Sequence, residues 1–569
     1  MESVERFVAG QLAAWEVPGC AVGAVRGGQV ELVGAWGLRD REAGLPVTGD
    51  TLFAIGSTTK AFTATTVGAL VDDGLLEWDR PLRDYVPAVR LNDPFVSDRV
   101  TIADLLSHRS GLPRHDLAWV GQPGRSRAEI VRCLRFLPLS RDLRQEFQYC
   151  NLGYLVAGYV VEALSGVAWE DFVRGRLIEP LGMRRTNLSV DEMLADDDHS
   201  AAYERRDGVI AEVPQRPLPA MAPAGAINSS AADMTRWLLA QLGGGQLDGA
   251  TVMSPATAKR QLTPHTLVPA AGGLPGITQD TYGLGWSIGR YRERRLAMHS
   301  GGIDGFVTHC MLLPDDGIGV VVLTNTSSSL MHVTVACRVL DELLGAEPLD
   351  MYGFLKPRFD AAMAGAGEAK AARPVVPDAP PARPLPAYAG EYEHPGYGTI
   401  AIAFGEDGDA LKPSLGTMDL SLAHRHFETF DLQWHEMSEQ QMTFPLTFLS
   451  GPDGDVNALT VQFEPLVEPL RFARRPDTLS LELLRRLCGT YAMGPFEVTV
   501  ALRGGRNLTV TAPGAAPGTP PLDLEPVSGL RFGVKELPAV TAEFELDEDG
   551  TAARLIAQPM GIFHRKPPA

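Results

Sequence analysis

Between residues 365 and 386 the chain is rich in Ala, Gly and Pro, with prolines at Pro374, Pro377, Pro380, Pro381, Pro384 and Pro386. Proline has no N–H for a strand ladder and breaks a helix interior. No core can form there, and a stiff extended spacer is the physical expectation. At 569 residues the chain is long enough for several domains, and the spacer says where to divide it. The division is 1–355 as a first unit, 356–384 as linker, and 385–476 and 477–569 as two further units.

The first unit reads as α+β. Val4, Phe7, Val8, Leu12 and Trp15 recur at helical spacing, giving a helix over 3–16. Strands follow at 20–26 and 29–36, and a helix from about Ser57 past Leu70 that stops at Gly74. A mainly helical stretch covers 100–240, with a helix over 146–164 and another near Ser230, where Ser230 and Asp233 suit an N-terminal cap. Strands return at 281–288, 294–299, 306–313 and 317–324, and a helix over 329–345 closes the unit. The expected architecture is an antiparallel sheet joining early and late strands around a helical insertion.

Beyond the spacer a short signature repeats. Tyr388-Ala-Gly390-Glu-Tyr392 matches Leu487-Cys-Gly489-Thr-Tyr491, and Phe472-Ala-Arg-Arg-Pro476 matches Phe563-His-Arg-Lys-Pro567. Two duplicated all-β modules of about 90 residues, small antiparallel barrels, are expected.

Charge and cysteine usage exclude several function classes. The net charge of −19 repels phosphate backbones and anionic membrane surfaces, so neither nucleic acid nor membrane is expected as a partner. Residues 1–7 show no apolar signal region, and no stretch approaches the ~20 apolar residues a bilayer span requires. The six cysteines are scattered without a CxxC pair, which points to free thiols in a reducing compartment, the cytoplasm. A homo-oligomer stays open.

The basic residues split into 7 Lys and 44 Arg, and Lys60 is the only lysine in the first 258 residues. A GC-rich codon bias explains few lysines but not one kept at this place. Arg cannot give up its proton and Lys can. Lys60 closes Ser57-Thr58-Thr59-Lys60, the only Ser-x-x-Lys in the chain. Residues three apart on a helix share a face, so Ser57 and Lys60 can meet. A serine hydroxyl needs a base, and lysine serves as one when burial lowers its pKa. Tyr149-Cys150-Asn151 is the only Tyr-x-Asn, and Asn can both donate and accept beside an amine. His299-Ser300-Gly301-Gly302 ends an expected edge strand, where glycines admit a substrate against the backbone.

In this order the three motifs resemble the serine β-lactamase and penicillin-binding-protein superfamily, whose usual set is S-x-x-K, S-D-N and K-T-G. Tyr-x-Asn is similar to the class C β-lactamase and D-Ala-D-Ala carboxypeptidase B branch. His-x-Gly is similar to its D-aminopeptidase, esterase and peptidase members. Residues 106–116, 224–233 and 299–306 resemble stretches of those peptidases, and 392–398 resembles the start of their lipocalin-like C-terminal domain. The resemblance implies an acyl-enzyme mechanism on a small-molecule or peptide substrate, without metal or cofactor. Ser57 would be the nucleophile, and Lys60 and Tyr149 would move its proton. Asn151 would position Lys60 and the substrate amide, and His299 would keep Tyr149 polarised. Backbone N–H groups of Ser57 and Gly302, beside Gly301, would form the oxyanion hole. The missing K-T-G lysine argues against efficient β-lactamase activity.

The implied function is a serine hydrolase of small peptides, amides or esters, D-residue peptides first. The alternatives are a thioesterase or transacylase that cyclises peptides, a β-lactamase, and a catalytically dead sensor. Gly285-Trp-Ser287-Ile-Gly289 matches a nucleophile elbow, but its strand–strand context does not. His108 and His115 are seven apart, not at metal-ligand spacing, and read as structural, with Arg114 or His115 near the pocket rim. The loop 511–526 is assigned a gating role by the resemblance.

Overall fold

The computed structural model describes residues 2–567, apart from 207, 270–272, 369–374, 406–409, 436–441, 453, 477–478, 505–506, 513–518 and 548. The proposed gating loop lies largely outside the described residues.

The strand Gly19–Arg26 organises the first unit. On one edge it pairs with Gln29–Asp40 and on the other with Ile318–Thr324, Val22 facing Val322. The sheet continues antiparallel through Phe306–Leu313, Arg294–Ile303, Ser287–Tyr291, Ile277–Tyr282 and Thr266–Leu267, with Leu45–Pro46 at its other end. Early and late strands thus share one nine-stranded sheet. Gly19–Arg26 is apolar on both faces because both are covered. Cys20, Val22 and Ala24 pack beneath the helices Glu2–Trp15 and Met331–Leu344. Ala21 and Val25 face the larger core, with Trp237 and Leu238 of the helix Ala231–Leu242. Ser230 caps that helix, accepting the Asp233 N–H at 3.2 Å.

Within the larger core runs the helix Thr59–Asp72, in which every residue from Thr59 to Leu70 is buried. A helix enclosed on all sides has no polar face. Its threonines satisfy their hydroxyls locally, Thr63 on the Pro223 carbonyl at 2.6 Å and Thr65 on the Ala61 carbonyl at 2.9 Å. Phe62 stacks on Trp237 with centroids 3.6 Å apart. Gly74, with φ 73°, ends the turn after the helix.

The strand Arg294–Ile303, expected at a sheet edge, is paired on both sides, with Ser287–Tyr291 and with Phe306–Leu313. Three further local expectations change. The helix expected over 146–164 spans Asn151–Ser165, because His108 holds residues 148–150 extended: its carbonyl accepts the Gln148 N–H and its Nδ1 accepts the Cys150 N–H. The strand expected over 281–288 is two strands joined by a turn in which Gly285, at φ 82°, lies against the Lys60 carbonyl. A Cβ there would stand 2.9 Å from that oxygen. The helix Met351–Glu368 occupies the first part of the stretch assigned to the linker, with Leu355 buried and Phe359 edge-on to Trp15.

Two eight-stranded antiparallel sheets follow, covering Gly390–Arg474 and Gly489–Arg565; the second closes into a barrel. They repeat each other in detail. Tyr392 pairs with Arg474 as Tyr491 pairs with Arg565. Tyr392 donates to the Tyr388 carbonyl at 2.8 Å, and Tyr491 to the Leu487 carbonyl at 2.7 Å. The repeated glycine has a steric reason: a Cβ on Gly390 or Gly489 would stand 2.9 or 3.0 Å from the arginine Nε. The first sheet shares the larger core of the first unit, and the barrel has its own.

Removing the Phe62–Trp237 stack tests this arrangement. Trp237→Ala is expected to cost about 3–5 kcal/mol, read as a lower denaturation midpoint in urea.

Candidate active site

The turn Ile55–Ser57 sits where the buried helix meets the sheet. Gly56 takes φ 50°, and residues Gly56–Thr58 form one 3-10 turn before the helix begins. Thr308 of the neighbouring strand donates to the Ile55 carbonyl at 2.9 Å, and its hydroxyl lies 3.1 Å from that of Thr58. The strand Arg294–Ile303 lies so close that a Cβ on Gly301 would stand 1.9 Å from the Ile55 carbonyl. One on Gly56 would meet the Gly302 nitrogen at 2.8 Å. Gly56 and Gly301 therefore allow the strand and the Ser57 turn to touch, which places the Gly302 backbone beside Ser57.

Lys60 is completely buried, and its Nζ reaches three oxygens at 2.9 Å: Ser57 Oγ, Asn151 Oδ1 and the Ala224 carbonyl. The rings of Tyr149 and Tyr154 lie 4.9 and 5.4 Å away. Burial pushes this amine down to about 7; the negative charge of Asp116 pulls upward, and Arg114 presses further down. A neutral amine has two N–H groups and one lone pair. With the Asn151 and Ala224 oxygens taking the hydrogens, the lone pair faces the Ser57 hydroxyl.

Tyr149 completes the group. Burial raises its phenol to about 12, against the pull of its hydrogen bond with Ser57 and of Arg114. It is therefore protonated near neutral pH. The Arg114 guanidinium lies 5.4 Å from its ring on one side, and the His108 ring 4.4 Å away. Asn151, the first residue of its helix, spends one amide hydrogen on Asp116 Oδ1 at 3.1 Å.

His299 stands apart from this network. Its Nδ1 donates to the Ser300 carbonyl at 2.6 Å, and its Nε2 accepts from the Tyr282 hydroxyl at 2.9 Å. It meets Tyr149 ring to ring, centroids 6.4 Å apart. Burial first, then the charge on Lys60, hold it neutral, at about 3.

The structure brings Ser57, Lys60, Tyr149 and Asn151 into one hydrogen-bonded cluster and sets Gly301, Gly302 and His299 along its sheet side. Sequence reasoning missed Asp116, Tyr282, the Ala224 carbonyl and the packing of His108 on Tyr149. The flanking 106–116 and 224–233 stretches signalled Asp116, His108 and Ala224, and nothing signalled Tyr282. Ser287 of the apparent nucleophile elbow accepts from Gln279 at 2.9 Å, inside the sheet. His108 and His115 both lie buried.

An apolar cavity of about 110 Å³ is lined by Ala54, Gly225 and Ile303, which flank the site segments in sequence, and by Leu188, Leu218 and Phe306 together with the paired Arg216 and Asp304. Among the described residues no group of three His, Cys, Asp or Glu is arranged to hold a metal ion, and no single helix is long and apolar enough to cross a membrane.

A sheet-and-helix scaffold that presents Ser-x-x-Lys on a buried helix beside Tyr-x-Asn defines a β-lactamase-fold serine hydrolase. The family described as Beta-lactamase matches residues 4–343, and the chain belongs to it. Residues 375–474 match a Domain of unknown function (DUF3471). The unguisins hydrolase of Aspergillus campestris is 33% identical over 79% of this chain and 87% of its own length. Penicillin-binding protein 4 of Amycolatopsis lactamdurans is 29% identical over 59% of this chain and 88% of its own. Among solved structures, the octameric penicillin-binding protein homologue from Pyrococcus abyssi shares the fold, with a TM-score of 0.56 and 23% identity, over 83% of this chain and 99% of that one.

Gly301→Ala is expected to displace the strand from the nucleophile turn. With the Gly302 N–H as the oxyanion donor that the resemblance implies, its loss costs about 10²–10³ in rate, and reaction of Ser57 with a fluorophosphonate should slow by that order while circular dichroism is unchanged.

Proposed function

We propose that this chain hydrolyses small peptide, amide or ester substrates through an acyl-enzyme on Ser57. The carrying observation is a fully buried Lys60 whose Nζ lies 2.9 Å from Ser57 Oγ, with burial lowering its pKa to about 7, so that its neutral form can take the Ser57 proton. In the forward step the Ser57 oxygen bonds to the substrate carbonyl carbon, and its proton passes to Lys60 Nζ. The tetrahedral intermediate collapses, the bond to the leaving group breaks, and that group takes a proton from Lys60 by way of the Tyr149 phenol. Tyr149, too weak an acid to ionise, serves as a relay. Water then attacks the ester by the reverse route. The N–H groups of Ser57 and Gly302 take the developing oxyanion. Asn151 fixes Lys60, and its remaining amide hydrogen can meet the substrate amide. The apolar cavity supports an acyl component with an apolar side chain.

The relative named for hydrolysing unguisins supports a hydrolase over a transferase. A peptidase that accepts D-residues is the preferred substrate class, and a panel of D- and L-aminoacyl amides and nitrophenyl esters sorts it from an esterase.

A fluorophosphonate should label Ser57, located by mass spectrometry, and Ser57→Ala should abolish the label; labelling elsewhere would exclude this reading. Below about pH 7 Lys60 carries a proton and can accept no other. The labelling rate should fall about tenfold per pH unit on that side and level off above it. Lys60→Arg, which cannot deprotonate, should lower the plateau rate about 10²–10⁴-fold and abolish the acidic limb.

A further inference from the structure

Among its contacts with the first unit, the unit of the first eight-stranded sheet makes a buried polar one at His115. His115 adopts φ 45°, a conformation that a non-glycine residue holds only when its surroundings over-determine it. Its Nε2 donates to the Pro138 carbonyl at 2.8 Å, which leaves Nδ1 as the acceptor for the Tyr397 hydroxyl at 2.6 Å. Its backbone N–H donates to Glu464 Oε2 at 3.0 Å. Tyr397 lies in the turn between the strands Gly390–His394 and Gly398–Phe404, Glu464 in the loop between Val456–Val461 and Leu470–Arg474, and both are buried. Tyr397 is itself held, since Gln122 donates to its carbonyl at 3.3 Å and Arg125 to that of Gly396 at 2.9 Å.

The residues either side of His115 are the ones that face the active site. Asp116 accepts from Asn151, whose oxygen holds Lys60; Arg114 donates to Asp116 at 2.6 Å and covers the Tyr149 ring. We propose that Tyr397 and Glu464 are positioning residues for catalysis: they clamp His115, and through it fix Asp116 and Arg114 against the Lys60–Asn151–Tyr149 cluster. The inference rests on the Ser57 acyl-enzyme reading. It gives the sheet matching a domain of unknown function a task in the chemistry of another unit.

The clamp sets a charge balance that can be read. Lys60 is faced by Asp116 and Arg114 from the clamped loop, by Tyr149, Cys150, Asn151 and Tyr154 from the next helix and its approach, by the Ala224 carbonyl, and by the neutral His108 and His299. Asp116 acts on Lys60 more strongly than Arg114 does, and in the opposite sense. Loosening the loop therefore lowers the Lys60 pKa, and the acidic limb of the rate profile moves to lower pH.

The test measures fluorophosphonate labelling of Ser57 against pH in the full chain. Tyr397→Phe and Glu464→Ala should slow labelling about tenfold and shift the acidic limb downward, as Asp116→Asn does. Glu464→Gln, which keeps an acceptor for the His115 N–H, should restore most of the rate. Tyr392→Phe, which removes a buried hydroxyl bond elsewhere in the same sheet, should leave rate and profile alone. Unchanged rate and pH profile in both Tyr397→Phe and Glu464→Ala would overturn the clamp while leaving Ser57 as nucleophile. A wild-type chain unlabelled at Ser57 would overturn the acyl-enzyme reading, and the clamp with it.

Discussion

Everything in this molecule is arranged around one amine removed from water. A lysine whose charge is desolvated gives up its proton more readily, and the surrounding protein must then supply partners for a neutral nitrogen instead of a cation. Lys60 has those partners in Ser57, Asn151 and the Ala224 carbonyl. Each comes from a different part of the chain, and each constrains its own neighbourhood. The helix carrying Lys60 is enclosed on every side, the turn at Gly285 presses on its backbone, and Gly56 and Gly301 permit contact with the sheet.

The same desolvation disciplines the other titrating groups. Burial keeps the His108 and His299 rings neutral and the Tyr149 phenol protonated. The fixed charges beside the amine are left to Arg114 and Asp116, which bond to each other. Opposite charges in contact make a local dipole, and its orientation relative to Lys60 depends on where the loop is anchored. That makes a distant anchor a matter of chemistry as well as stability.

How much of this could be read from sequence follows the range of each interaction. The Ser57–Lys60 pair lies within one helical turn, and local spacing reveals it. The sharing of one sheet by early and late strands was legible from the recurrence of strand-like runs on either side of a helical stretch. The extended stretch before Asn151 was invisible, because its backbone hydrogen bonds go to His108, some 40 residues away. Asp116 and Tyr282 carry no motif, and their partners are brought near only by the fold. The helix Met351–Glu368 runs on past the expected boundary because Trp15 and its neighbours offer an apolar surface to cover. The β duplication was legible through its structural Gly, Tyr and Arg, whose contacts recur in both copies.

The partnership of Gly19–Arg26 with Ile318–Thr324 has a consequence for synthesis. The first strand leaves the ribosome about 300 residues before its partner. At about 5–20 residues per second it waits roughly 15–60 s with one edge unpaired and two apolar faces uncovered. Such an edge is a template for aggregation. The nascent chain therefore passes through a long interval in which an apolar strand of the future core must be shielded by chaperones or by its own neighbours. Slow translation across residues 40–310 would lengthen that exposure, and a chain truncated before residue 318 would never end it.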